Sequence, residues 1–474
     1  MATNLKLPES AFAPWVRLEN LRAGDATWLK GPPAAPGHLD GYASATSAAI
    51  GDSVTFFVSA TTPSIRVKVF RLGYYQGLGA RLVETLEDVA ATSQPIPMPD
   101  SLGTVDCDWT PTFTLSLHAL YVPGQYLVRM ENHTGEYQFI PMLVRDDSSR
   151  ATYLYLSAVT SWQAYNTWGG FSLYREADPT GTTIISNTNR AVRVSFNRPY
   201  DRRFANGAAD LIGNEFPLLF FMERLGLDLA YWTDVDLHER GAQLARHRAV
   251  ISLGHDEYYS PAMRDAITSA LARGVNVAFF GANFCFRKIR FDPSFNGVNR
   301  LMINYRSIDD PITALHPSLA TVNWGASPSN LPESTFSGSI YGGANGAGSL
   351  TVVDAGDWLW HGTGLRNGAL LVNALGGEFN HVATPASKAP VQVFSQSRVA
   401  GGISNVTYFA PPGQGGVFAS GTGYWIYRLS NAPRLGDRWI PAPVPGVTGA
   451  LSVATHNVLA LFARGPAGDV RPSR

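Results

Sequence analysis

The sequence predicts an all-β domain followed by an α/β domain: an immunoglobulin-like β-sandwich, then an open, mostly parallel sheet of the glutamine-amidotransferase or flavodoxin type. Between residues 37 and 146, short β-branched and aromatic runs alternate with turn signals such as Pro123-Gly124. From residue 147 to 464, strand-like runs alternate with helical patterns. Two apolar runs, Val250–Leu253 and Val275–Phe280, flank one helical pattern, which is typical of a βαβ unit with parallel strands.

The first part of the chain, residues 1–36, is predicted to be an irregular arm, because Gly31–Gly37 is rich in proline and glycine. In the sandwich, Ile65–Arg71 alternates apolar and charged residues, as a half-buried strand does. Further strands are predicted at Ser53–Ser59, Phe113–Leu117, Gln125–Met130 and Tyr137–Val144. Short strands separated by turns in this way favour a sandwich over a helical domain.

The helix of the βαβ unit has clear ends, since Ser260 is a good N-cap, Pro261 suits the first turn and Gly274 suits a C-terminal cap. Other strands are predicted at Thr152–Leu156, Ala191–Phe196, Leu229–Trp232 and Tyr424–Tyr427, and helices at Phe216–Leu225 and Thr448–Ala463. Residues 307–368 are rich in Gly, Ser, Asn and Pro, which favours a lid-like insertion. The tail, residues 465–474, is expected to be disordered.

Composition excludes several classes of function. Lysines and arginines number 37, as do aspartates and glutamates, so no basic excess indicates binding to nucleic acid or to an anionic membrane. No run approaches the 18 or so apolar residues of a membrane span. The start lacks the pattern of a secretion signal, and two cysteines are too few for a disulfide framework. We therefore expect a cytoplasmic protein with reduced thiols.

Polar side chains follow several predicted strands directly. They are Tyr165, Tyr200, His255, Glu257 and Asn283. Ligands of open parallel sheets bind beyond the carboxyl ends of the strands, so these groups are expected to meet at one edge. Phenolate and carboxylate are hard oxygen ligands that suit a hard cation such as ferric iron. The alternative is that the acidic residues only favour the N-terminus of the following helix.

Four motifs resemble the large subunit of N,N-dimethylformamidase and its relatives: Ser161–Tyr174, Ser195–Tyr200, Gly254–Ser260 and Phe279–Asn283. The resemblance covers the chain from about residue 41 to its end. It implies a β-sandwich beside an α/β domain, and one non-haem ferric ion per chain, held by two tyrosines and a glutamate. It also implies hydrolysis of small formamides.

Carried over by motif, the resemblance implies Tyr165, Tyr200 and Glu257 as iron ligands, with Tyr174 as the alternative to Tyr165. It implies His255 and Asn283 as catalytic groups beside the metal, with a further glutamate for which Glu378 is the candidate. The tryptophans Trp168, Trp358 and Trp360 are candidates for the substrate pocket, and ordinary packing is the alternative for each.

Two other functions stay open. Cys285 follows a predicted strand and could be the nucleophile of a metal-free amidase with His255 as its base, although its flanks, Phe284 and Phe286, favour a buried small residue. The chain could also be a non-catalytic binding protein of the same fold. For the enzyme we expect a small amide substrate and a homo-oligomer, and the need for a small partner subunit stays open.

Overall fold

A computed structural model describes residues 5–203, 205–344, 346–383, 389–435 and 444–474. The strands are β1 (Leu39–Ala43), β2 (Ser47–Ala49), β3 (Ser53–Ala60), β4 (Ser64–Leu72), β5 (Ala80–Ala90), β6 (Phe113–Ser116), β7 (Gly124–Glu131), β8 (Tyr137–Arg145), β9 (Tyr153–Ser157), β10 (Glu176–Ala177), β11 (Ile184–Ser186), β12 (Arg193–Ser195), β13 (Leu229–Thr233), β14 (Ala249–Ser252), β15 (Tyr258–Tyr259), β16 (Asn276–Phe279), β17 (Arg287–Lys288), β18 (Arg290–Ser294), β19 (Gly297–Ile303), β20 (Ser339–Gly343), β21 (Gly348–Thr351), β22 (Leu370–Leu375), β23 (Phe379–Val382), β24 (Gln392–Val399), β25 (Gly402–Phe409) and β26 (Val417–Ala419).

The α-helices are α1 (Pro14–Asn20), α2 (Val159–Tyr165), α3 (Phe216–Leu225), α4 (Asp234–Arg240), α5 (Pro261–Ala272), α6 (Ser334–Ser337), α7 (Tyr424–Leu429), α8 (Pro445–Phe462) and α9 (Ala467–Val470). Within the described ranges, no helix combines the length and the apolar character needed to cross a bilayer.

The N-terminal β region consists of two sheets, with strand orders β1-β3-β6 and β2-β8-β7-β4-β5. Alternate side chains of both sheets point into one shared core, which includes Phe56 of β3, Val67 of β4, Val128 of β7 and Ile140 of β8. This arrangement agrees with the predicted two-layer β domain. Its assignment as immunoglobulin-like stays a prediction.

The α/β region is built on a seven-stranded sheet of order β13-β9-β14-β16-β26-β25-β24. Its first five strands are parallel, and β25 and β24 continue it antiparallel. Along β9, Tyr153 and Tyr155 face a core shared with α3 and α8, whereas Leu154 and Leu156 face a core shared with α5. Helices therefore cover both faces, as in α/β domains generally, and a flavodoxin-like type stays a prediction.

The predicted βαβ unit is confirmed. Strands β14 and β16 pair in parallel, with Val250 opposite Val277. The Ser260 hydroxyl accepts a hydrogen bond of 3.2 Å from the Met263 amide and so caps α5. Gly274 has φ +90°, the left-handed conformation that ends such helices. The carboxyl ends of both strands therefore open on one edge of the sheet.

Two predicted strands of the α/β region behave differently. Residues 424–427 are not a strand but the first part of α7, because Trp425, Ile426 and Leu429 form a buried helical face. The predicted strand at 191–196 exists as β12, but it pairs with β19 in a separate sheet of order β12-β19-β18. The residues that follow β12 are therefore not carried to the edge of the seven-stranded sheet.

The two ends of the chain are more ordered than expected. The arm contains α1, whose Asn20 side chain donates to Glu223 of α3 at 2.5 Å. The tail contains α9 instead of disorder, and the amide of Ala467 donates to the Asn276 side chain at 2.9 Å. Arg474 reaches Asp357 at 2.5 Å. These polar contacts join residues that are far apart in the sequence, so the composition of each end did not predict its order.

One buried ion pair joins three parts of the chain. Arg71 Nη2 of β4 lies 2.6 Å from Glu223 Oε1 of α3, and neither side chain is exposed to solvent. The hydroxyl of Tyr231 in β13 also donates to Glu223, at 2.5 Å. With Asn20 of α1 on the other carboxylate oxygen, Glu223 links the arm, the β region and the α/β region.

Candidate active site at the strand ends

Three loops that follow neighbouring parallel strands build the candidate site. After β9, α2 carries Tyr165 at its last position; after β14 come His255 and Glu257; after β16 comes Asn283. The Ser161 hydroxyl accepts from the backbone amide of Glu257 at 2.9 Å, which ties the first loop to the second. Of the predicted strand-end residues, these four meet as expected.

Three oxygen atoms form a compact triangle at this edge. The Tyr165 hydroxyl lies 2.9 Å from Glu257 Oε2, and the Tyr174 hydroxyl lies 2.8 Å from the same oxygen. The two hydroxyls are 2.8 Å apart, and their rings stack with centroids separated by 4.2 Å. Tyr174 therefore accompanies Tyr165 at Glu257 rather than replacing it.

Cationic groups surround the triangle on its other side. Arg287 Nε lies 3.2 Å from Glu257 Oε1. Arg306 donates to the Tyr258 hydroxyl at 3.0 Å, which in turn lies 2.7 Å from the Tyr174 hydroxyl. The Arg306 guanidinium also lies over the Tyr174 ring, 4.0 Å from its centroid. The Arg287 guanidinium thus offsets the buried negative charge of Glu257, and the Arg306 guanidinium lies beside Tyr258 and Tyr174.

The electrostatics keep both phenols of the triangle protonated when only the protein is present. Burial, and then the Glu257 carboxylate and the neighbouring phenol, raise the pKa of Tyr165 well above its usual value. Burial and Glu257 also raise the pKa of Tyr174. Both hydroxyls therefore donate hydrogen bonds to the carboxylate. Binding of a highly charged cation would favour the phenolates instead.

His255 links Glu257 to a second acid. Its Nε2 atom lies 2.7 Å from Glu378 Oε2 and 3.4 Å from Glu257 Oε2. Burial alone would lower the pKa of His255, but the carboxylates of Glu378 and Glu257 outweigh it and raise the pKa to about 10. His255 is therefore a cation near neutral pH, held between two carboxylates.

Asn283 is the third residue in contact with the pair formed by His255 and Glu378. Its side-chain nitrogen donates to Glu378 Oε1 at 3.0 Å, and its backbone amide donates to the Asn380 side chain at 2.8 Å. The backbone has φ 56°, a conformation that asparagine tolerates better than most residues. Within the described part of the chain, its buried Oδ1 atom has no hydrogen-bond partner. A ligand that carries a donor would satisfy that atom.

A cavity of about 260 Å³ opens beside these groups. Its described walls come from the strand-end loops, the turn before Glu378, the turn before α3 and one face of α7. They are Tyr165, Asn214, Gly254, His255, Ala282, Gly377, Glu378, Gly423, Tyr424 and Tyr427. The predicted site residues Tyr165, His255 and Glu378 therefore face the same space.

Tyr200 lies elsewhere. It lines a small cavity between the β and α/β regions together with Tyr42, Trp162 and Arg300. Burial raises its pKa, and the charges that act on it are those of Arg300, Arg198 and Glu215, not Glu257. The prediction placed Tyr200 at the sheet edge because it follows a strand, but that strand, β12, belongs to the separate sheet.

The three predicted pocket tryptophans do not line the cavity as far as the described residues go. Trp168 packs edge-on against Trp109, with centroids 5.7 Å apart. Trp358 packs against Tyr408, and the Trp360 indole donates to the Phe394 carbonyl at 3.0 Å. Each is at most 2% exposed, so packing, the alternative interpretation, describes them.

Cys285 does not have the surroundings of a nucleophile. Its sulfur is buried 3.3 Å from Arg264 Nη1, and burial raises the pKa of the thiol to about 12 in spite of that guanidinium. His255 contacts Glu378 and Glu257 instead. The Cys285–His255 alternative is therefore not supported by the geometry.

Glu215 positions the start of α2, the helix that carries Tyr165. It ends the π-helical turn Leu211–Glu215 and is fully buried. Its carboxyl oxygens accept from the Ser157 hydroxyl at 2.7 Å, the Ala158 amide at 3.0 Å and the Trp162 indole at 3.0 Å. These groups form the start of α2, whose last residue is Tyr165. Glu215 therefore fixes the helix that presents Tyr165.

We expect the stability of the native protein relative to a Glu215→Gln variant to fall as pH rises from about 4.5 to 8. Burial raises the pKa of Glu215 from 4.5 to about 8, so in that window the folded state holds a proton that the unfolded chain releases. The difference in unfolding free energy between the two proteins should change by about 1.4 kcal/mol per pH unit. Urea unfolding of both proteins at pH 5, 6.5 and 8 measures it, and a difference that does not vary with pH would contradict this assignment.

Four residues at the site were not predicted from the sequence. Tyr258 could have been, because it directly follows Glu257 in the motif. No sequence motif marks Arg306, Asn214 or Tyr427. In the ranges that the structure describes, no three or more His, Cys, Asp and Glu side chains are grouped to hold a metal ion. The oxygen donors that converge are instead one carboxylate and two phenols.

The fold and this edge define an α/β protein with a buried, polar site at the ends of its parallel strands. The chain belongs to the family "N,N-dimethylformamidase beta subunit-like, C-terminal", whose model matches residues 66–437. The resemblance predicted from the four motifs is thereby confirmed. No curated protein matches the chain.

One of the solved structures that this chain matches illustrates how weak such a similarity can be. It is a cycloisomaltooligosaccharide glucanotransferase from Paenibacillus sp., complexed with cycloisomaltoheptaose. The identity is 10%, the match covers 90% of this chain and 81% of that chain, and the TM-score is 0.20. So low a score carries no argument about fold or function.

Proposed function

We propose that this protein is an amidohydrolase that hydrolyses the C–N bond of a small amide, with one ferric ion held by Tyr165, Tyr174 and Glu257. The observation that carries the proposal is the triangle of their oxygen atoms, with separations of 2.8 to 2.9 Å. Family membership supports the reaction class, since the family is described by the name of an amide-cleaving enzyme.

The donor set suits the proposed metal. Two phenols and a carboxylate are hard oxygen ligands, which favour a hard cation over a thiolate-binding one. The triangle is buried, with Glu257 only 1% exposed, so the two phenols would ionise there only together with a bound cation. Tyr165, Tyr174 and Glu257 would hold the ferric ion, which would supply Lewis acidity for the polarisation of a carbonyl and of water.

The chain's own groups would handle the protons and orient the substrate. The Glu378 carboxylate takes a proton from the attacking water and then delivers it to the amine nitrogen as the C–N bond breaks. His255 and the Asn283 side-chain amide, which contact Glu378 at 2.7 and 3.0 Å, would turn to the carbonyl oxygen and donate to it as its negative charge develops. Water and amide are consumed, and a carboxylic acid and an amine are released.

The assembly belongs to the proposal as well. The family is named for a beta subunit, which supports a partner subunit in the working enzyme. We propose a homo-oligomer of this chain as its core, with mass measurement in solution as the test.

Incubation with N,N-dimethylformamide tests the function. Protein produced with iron is expected to release dimethylamine and formate, to lose this activity when a chelator removes the metal, and to regain it with ferric iron. Release of amine by chelated protein would contradict the role of iron. Tight binding of amides without any release would favour the non-catalytic alternative.

A further inference from the structure

The cavity beside Glu378 is larger than the family's name requires. About 260 Å³ corresponds to about nine water volumes. Dimethylformamide, whose nitrogen carries only two methyl groups, is smaller than this space. Specific sites bury most of their ligand and leave few voids. The cavity therefore has room for an amide with one substituent larger than methyl.

Two tyrosines of α7 form one wall of the cavity. Tyr424 and Tyr427 are three residues apart, so they lie on the same face of the helix, and their ring centroids are 5.3 Å apart. The opposite face of α7 is fixed, because Trp425 and Ile426 are fully buried. The helix therefore presents two partly exposed aromatic rings to the space beside His255.

The turn that presents Glu378 packs directly on this wall. A Cβ atom added at Gly376 would lie 2.0 Å from Cε2 of Tyr424, so only glycine allows the ring to pack this closely against the backbone. Gly377 follows with φ +68°. The aromatic wall and the proposed general base are thus held at a fixed separation.

The cavity offers no site for a charged substrate. Among its described lining residues, only His255 and Glu378 are of a basic or acidic type, and their side chains lie 2.7 Å apart. A carboxylate or ammonium group on the substrate would lose its hydration without gaining a partner. Flat apolar groups, in contrast, gain from contact with tyrosine rings, and the Asn214 amide can bind one polar atom.

We propose that the substrate of this site is an uncharged amide that carries one aromatic ring, and that Tyr424 and Tyr427 bind that ring and determine specificity. This inference rests on the proposed amidohydrolase function. The ring lies against α7 while the amide carbonyl lies between His255 and Asn283. Formanilide, in which a phenyl group stands on the formamide nitrogen, is the simplest probe of this class.

The test compares kcat/KM for formanilide, 4-formamidobenzoate and dimethylformamide. Formanilide is expected to exceed dimethylformamide at least 10-fold, and the charged benzoate to fall at least 10-fold below formanilide. Tyr427→Ala should lower kcat/KM for formanilide at least 10-fold, and should lower the ratio of kcat/KM for formanilide to that for dimethylformamide at least 3-fold. Phe295→Ala, at a residue 58% exposed between β18 and β19, is the control and should change neither.

Two results would overturn the inference while leaving the amidohydrolase intact: a preference for dimethylformamide, or an equal loss for both substrates in Tyr427→Ala. If no amide is hydrolysed, the proposed function fails. Measured affinities then test separately whether the cavity prefers an aromatic amide. Formanilide should then bind the Glu378→Gln variant at least 10-fold more tightly than dimethylformamide does. Equal affinities would remove the aromatic-amide assignment.

Discussion

A Glu378→Gln variant is expected to lower kcat/KM for amide hydrolysis by about 10³-fold, within the range that general acid–base groups contribute. Glutamine keeps the shape and can still accept from Asn283, which lies 3.0 Å from Glu378 Oε1. It cannot take a proton from water. Because Glu378 is outside the oxygen triangle, the iron content of the variant should equal that of the native protein.

A matched control is Glu87→Gln, since Glu87 is 57% exposed and pairs only with the surface residue Arg66 among the ion pairs of the described chain. It should leave kcat/KM unchanged. If Glu378→Gln retained more than a tenth of the native kcat/KM, Glu378 would not be the base.

A Glu223→Ala variant is expected to lose about 3–5 kcal/mol of unfolding free energy, because it removes the carboxylate that offsets the buried charge of the Arg71 guanidinium. Neither Arg71 nor Glu223 is exposed, so solvent cannot replace the lost ion pair of 2.6 Å. The Asn20 and Tyr231 donors lose their acceptor as well. Urea unfolding at neutral pH measures the change.

The control for this prediction is Glu87→Ala, which breaks an ion pair of the same 2.6 Å length on the surface. Exposed pairs contribute at most about 1 kcal/mol. The loss of unfolding free energy in Glu223→Ala should therefore be several-fold larger than that in Glu87→Ala. Equal losses would show that burial at Glu223 is not what makes the pair important.

Local sequence patterns predicted the part of the site that follows the two strands of the βαβ unit. The apolar runs around α5 and the Ser260 cap identify two adjacent parallel strands, so His255, Glu257 and Asn283 were correctly expected at one edge. Tyr200 shows the limit of this reasoning. A strand-like run does not reveal which sheet it joins, and β12 pairs with β19 rather than with β9.

Packing decided the remaining differences. Aromatic residues at Tyr424–Tyr427 fit a strand or a helix equally well over so short a run, and contacts of Trp425 with the core select the helix. Trp358 and Trp360 were candidates for the pocket because tryptophan suits both a ligand site and a core. The tail is held by Asn276 and Asp357, two partners more than 100 residues away in sequence.

Iron content and visible absorption of Tyr174→Phe and Tyr200→Phe test the central claim most directly. The triangle of Tyr165, Tyr174 and Glu257 predicts that Tyr174→Phe loses most of its iron and its phenolate-to-iron absorption band. Tyr200→Phe, whose hydroxyl lies in the cavity between the β and α/β regions, should keep both. Retention of iron and colour by Tyr174→Phe, with their loss from Tyr200→Phe, would contradict the account.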